Sequence, residues 1–107
     1  MANAIYLISK DMILADYKHL LKNSLYKHLN NIDPEDVHGL KEIINIPSYK
    51  ILSQISFTDL IIFNHEQIVA GYKELKTINS KNKAFLKLKH SFEVALAHPL
   101  EYMLIDY

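Results

Sequence analysis

Apolar residues recur at three- and four-residue spacing over residues 12–31, where Ile13, Leu14, Tyr17, Leu20, Leu21, Leu25 and Leu29, followed by Ile32, form one stripe. That period predicts an amphipathic helix. Asp16, Lys18, Lys22, Asn23 and Lys27 fall largely outside the stripe, and Asn30-Asn31 suits its C-terminal cap. His28 lies on the stripe, which reads as a histidine buried at an interhelical contact rather than as a general base, since no local group would orient it.

Asp33-Pro34-Glu35-Asp36 predicts a second helix start. Asp33 can cap, Pro34 fits the first position, and the two acids sit against the positive helix end. Val37, Leu40 and Ile44 supply its buried edge until Pro47. A third helix is predicted over 56–79, opened by the capping arrangement Ser56-Phe57-Thr58-Asp59. Phe57, Leu60, Ile61, Ile68, Tyr72, Leu75 and Ile78 carry it, with Asn64 and Gly71 interrupting the stripe. Gly71 either admits a neighbouring helix closely or weakens this one by ~1 kcal/mol.

Two segments carry both periods. In 84–94, Ala84, Leu86, Leu88, Phe92 and Val94 alternate with polar residues as in a strand, yet Phe85, Leu88, Phe92, Ala95 and Leu96 also make a helical face. Tyr49, Ile51, Ile55 and Phe57 alternate similarly. With only two Gly in the chain, tight hairpins are disfavoured and helix is preferred in both places. The predicted fold is a compact all-α bundle of four to five helices. The alternative is α+β with a small antiparallel sheet from 49–57 and 84–94.

The length of 107 residues suits one domain, and half the residues are apolar, enough for a packed core. The chain has no Cys, Arg or Trp, which excludes a disulfide scaffold, thiolate chemistry and an arginine clamp. No secretory signal and no apolar run near the ~20 residues of a membrane span is found, so a cytoplasmic location is expected.

Chemistry-bearing motifs are sparse. His65-Glu66 begins like a zinc-protease signature, but Val69 stands where the second histidine belongs. Glu35-Asp-Val-His38 has the spacing of a di-iron bundle ligand pair without the partners it needs. No serine elbow, phosphate loop or dinucleotide fingerprint occurs. No metal, cofactor or catalytic residue is therefore assigned, and the chain is not expected to be an enzyme. Scattered histidines and carboxylates leave a small enzyme as an alternative.

Charge supplies the positive signal. The 12 Lys and 12 acids cancel, but 73–90 holds Lys73, Lys76, Lys81, Lys83, Lys87 and Lys89 against Glu74 alone. As a helix, 84–94 would put Lys83, Lys87 and His90 opposite Phe85, Leu88 and Phe92. Seven Tyr exceed what a small core can hold, and tyrosine is enriched where proteins meet. The expected function is steric occlusion of a partner protein such as a toxin or effector enzyme, in the manner of an inhibitor, immunity protein or antitoxin. Candidate contact residues are Lys81, Lys83, Lys87, His90, Tyr49, Tyr102, Asp33, Glu35 and Asp36. A basic partner would select the acidic group and an acidic one the lysines. A homo-oligomer is also open. Nucleic-acid binding through 81–90 is the weaker alternative without arginine.

Overall fold

Asn3–Ser9 is a β-strand (β1) in the computed structural model of the chain, which describes residues 3–9 and 26–106. It is followed by β2 (Tyr26–Ile32), α1 (Pro34–Ile44), a short 3-10 turn (Leu52–Gln54), β3 (Ile61–Phe63), α2 (His65–Lys76), α3 (Lys83–Leu96) and β4 (Glu101–Asp106). The strands form an antiparallel sheet in the order β2-β1-β4-β3. The architecture is therefore α+β, which corrects the expectation of an all-α bundle.

The correction has local causes. Residues 26–31, assigned by their three- and four-residue spacing to the first helix, lie with Ile32 in a strand paired with β1 from Asn3↔Ile32 to Ile8↔Tyr26. Six paired positions with β1 and the complete burial of Ile32 outweigh a period carried at this end by only Leu29 and Ile32. The remainder of that predicted helix, residues 12–25, lies outside the described residues. His28 consequently stands exposed on β2, its ring edge-on to Tyr6 with centroids 5.5 Å apart and its Nε2 2.8 Å from Asn31 Oδ1. A bulge at Leu29 interrupts the β1–β2 ladder and, with the exposed Lys27, blunts the sheet edge.

The helix predicted over 56–79 begins only at His65. Asn64, read as a flaw in its stripe, is the N-cap: its Oδ1 accepts from Gln67 N at 2.9 Å while Gln67 Oε1 accepts from Asn64 N at 2.9 Å. Upstream, Ile61, Ile62 and Phe63 pair with Ile105, Leu104 and Met103 of β4. Ser56 does not start a helix. Its Oγ accepts from Thr58 N and Asp59 N, each at 3.3 Å, in a turn where Phe57 adopts a left-handed φ of 61°.

The two ambiguous segments part company. Residues 84–94 lie inside α3, in accord with the helical reading, and 49–57 holds only the 3-10 turn among irregular chain. Neither contributes a strand, so the sheet foreseen in the α+β alternative is built from other segments altogether. The expected start of α1 holds better. Asp33 occupies the N-cap with Pro34 next, although its carboxylate makes no capping bond and its carbonyl accepts from Asp36 N at 2.9 Å instead.

One sheet face meets the helices. Ile5, Leu7, Met103, Ile105 and Phe63 point into the core against Leu40 and Ile44 of α1, Ile68 and Leu75 of α2, and Phe85, Leu88 and Phe92 of α3. Helix α3 is the central one, held to β2 by Asn30, whose Nδ2 donates to Ser91 Oγ at 2.9 Å; Ser91 is fully buried. Gly71 sets the approach of α2 to α3. A Cβ there would stand 2.6 Å from Phe92 Cε2 and 2.9 Å from Ile51 Cγ2, so the close-approach reading of this glycine is the correct one. Among the described residues, no helix is long and apolar enough to cross a membrane.

Candidate partner-binding face

Asn82 builds the start of α3, its Oδ1 accepting from Phe85 N at 3.0 Å. Helical geometry then turns Ala84, Phe85, Leu88, Ser91, Phe92 and Ala95 inward and leaves Lys83, Leu86, His90 and Glu93 exposed, with Lys87 half-buried beside them. Three of the expected contact residues thus share one face, and Lys81 is exposed just ahead of it. Leu86, 49% exposed, stands among them, one turn from both Lys83 and His90. Its place was visible in the helical reading of this segment, but the strand-like alternation drew it to the apolar set.

Among the described residues, no carboxylate lies within ion-pairing distance of Lys81, Lys83 or Lys87. Glu93, the acid on α3, is engaged elsewhere: it accepts from Tyr72 Oη of α2 at 3.0 Å. That bond, with desolvation and the negative charge of Glu93, raises the Tyr72 phenol above its ordinary value of 10.0. A folded-state value that is raised contributes stability below the ordinary value and loses it as pH rises through the raised one. A phenolate titration of the folded protein, with Tyr72 identified by difference from Tyr72→Phe, is expected to show Tyr72 ionising above 10.0 and moved back toward it by Glu93→Gln. An unchanged tyrosine titration in that variant would remove Glu93 as the cause.

The acidic group stands nearby. Asp33 and Glu35 are exposed and Asp36 is half-buried in the first turn of α1, where they oppose the helix dipole. One turn further on, the space beside Gly39 is filled by Asn82, with a Cβ there only 2.9 Å from Asn82 Nδ2. Helix α1 thus packs on the head of α3 at Gly39, and among the described residues none of the acids at its start ion-pairs with Lys81 or Lys83.

The two tyrosines do not join this face. Tyr49 is half-buried against the core with its hydroxyl 3.3 Å from Thr77 Oγ1, a structural role. Tyr102 lies on β4 at a separate cleft of about 250 Å³, lined also by Asn64, His65, Glu66 and Pro99. His65 Nδ1 is buried without a hydrogen-bond partner. Among the described residues, no group of three or more His, Asp or Glu side chains is placed to hold a metal ion.

Among the described residues, two other large apolar side chains are exposed, Ile46 at 37% and Leu100 at 75%. Both lie in connecting segments, where isolated exposed apolar residues are ordinary. Leu86 instead lies on a regular helix face with Lys83, Lys87 and His90, which have no carboxylate partner among the described residues. Comparison of this chain with protein-family models, curated proteins and solved structures finds no match.

Proposed function

We propose that this chain is a protein-binding module of the inhibitor, immunity-protein or antitoxin kind, which covers an acidic surface of a partner with the outward face of α3. The observation that carries this reading is Leu86, half exposed between Lys83, Lys87 and His90, none of which has a carboxylate partner among the described residues. An apolar centre within a polar, charged rim is the general arrangement of a protein interface. Full burial of a leucine is worth about 1.5–3 kcal/mol, so completing the burial of Leu86 supplies roughly half of that. Each rim ion pair adds about 0.2–1 kcal/mol, and the lysines together raise the association rate for an acidic surface. A phosphate backbone would satisfy the lysines but leave Leu86 in water, which favours protein over nucleic acid.

Selection from a random peptide-display library on the immobilised chain tests this. Enriched peptides are expected to carry Asp or Glu around a leucine-sized apolar residue. They should lose at least about tenfold in affinity, or roughly 1.4 kcal/mol, on Leu86→Glu and on the Lys83→Glu/Lys87→Glu double change, with helicity by circular dichroism unaltered. No enrichment, peptides without acids, or affinities indifferent to both variants would overturn the proposal. So would a single-stranded DNA probe bound in preference to any peptide.

A further inference from the structure

We propose a second, independent site: a pocket for the oxyanion of a small phosphorylated molecule, formed where the end of α1 meets the 3-10 turn and the turn at 56–59. The cavity is about 280 Å³ and is lined by Lys41, Asn45, Ser53, Ile55, Ser56 and Thr58. Its lining holds hydrogen-bond donors and one cation but no carboxylate. Lys41 is half-buried and has no ion-pair partner among the described residues. The side chains of Asn45 and Ser53 make no hydrogen bond among these residues either, leaving an amide and a hydroxyl free to donate. Ser56 Oγ accepts from Thr58 N, Asp59 N and Thr58 Oγ1, so its own proton is left to donate.

The C-terminal end of α1 brings about half a negative elementary charge to the pocket. The full charge of Lys41 exceeds it, and the exposed Asp59 stands outside the lining. The turn that presents Ser56 and Thr58 is strained at the residue between them, which faces the core and not the pocket. Phe57 is an aromatic residue with φ 61°, buried to 6% exposure, and its carbonyl accepts from Asn3 Nδ2 of the central strand β1 at 3.0 Å. Backbone strain held in place by the surrounding structure concentrates at ligand sites. The volume, just below the usual range for ligand pockets, suits a phosphate with only a few carbons attached.

Glycerol 3-phosphate and inorganic phosphate are the probes, with glycerol and sodium chloride of matched ionic strength as controls. Amide chemical shifts of Asn45, Ser53, Ser56 and Thr58 are expected to move saturably with both phosphates and with neither control. Lys41→Gln should weaken the response at least tenfold, and Ser53→Ala, at an exposed position, should weaken it about threefold without loss of fold. The absence of saturable shifts, an equal response to glycerol or chloride, or shifts that persist undiminished in both variants would overturn the site. Leu86→Glu should leave this titration unchanged, which separates it from the α3 face.

Discussion

Phe92→Ala is expected to lower the unfolding free energy by about 3–5 kcal/mol, measured as a shift in the urea midpoint. A domain of this size has only about 5–15 kcal/mol in total, so the variant will be marginal at room temperature. The ring is fully buried, sits 6.1 Å from that of Phe63 on β3 at an angle of 48°, and reaches the backbone of α2 at Gly71. It is therefore the wedge that sets the spacing of the sheet, α2 and α3. Alanine leaves a cavity bounded by three elements, each fixed by its own hydrogen bonds and so slow to collapse. Phe92→Leu should recover part of the loss, because it refills most of that volume. A loss below 1 kcal/mol for the alanine variant would mean that α2 and α3 can close over the gap.

The same residue shows how far the sequence could be read. Phe92 belongs to both periods of 84–94, and α3 emerges because Phe85, Leu88 and Phe92 find α1, α2 and the sheet on one side. The helical period of that segment is what brings Lys83, Lys87 and His90 onto one face. The sheet was not legible, and glycine scarcity was the misleading signal. Both glycines lie inside helices, and β2, β3 and β4 are joined through helical connections that need no tight turn. The central pairing of β1 with β4 joins the two ends of the chain, from Ala4↔Asp106 to Ser9↔Glu101, and no local pattern encodes it. Met103, Leu104 and Ile105 are buried in succession, the mark of a central strand, but a run this short has no period of its own. The oxyanion pocket was equally hidden, since Lys41 and Thr58 come from different elements and carry no motif spacing.

Glu74→Ala is expected to cost about 2–4 kcal/mol although Glu74 touches no charged group that would identify it in the sequence. Its carboxylate reaches from α2 to the head of the 3-10 turn, accepting from Leu52 N at 2.9 Å and from Ile51 N at 3.1 and 3.2 Å. A carboxylate on backbone N–H groups makes the stronger, charge-assisted kind of hydrogen bond, worth about 1.5–3 kcal/mol. Leu52 is fully buried, so its N–H has little access to water once the acceptor is gone. The other hydrogen bond from the loop to α2 among the described residues is a weak one, the 3.3 Å contact of Tyr49 with Thr77. Glu74→Gln should fall between, because one oxygen can still accept from Leu52 while the charge is lost. Amide hydrogen exchange at Ile51 and Leu52 should accelerate in the alanine variant well beyond the change at Ile68, which lies on the same helix away from the loop. Acceleration spread evenly over α2 would instead assign Glu74 to the helix itself, and the connection between α1 and β3 would then be held by its buried side chains, Leu52, Ile55 and Phe57.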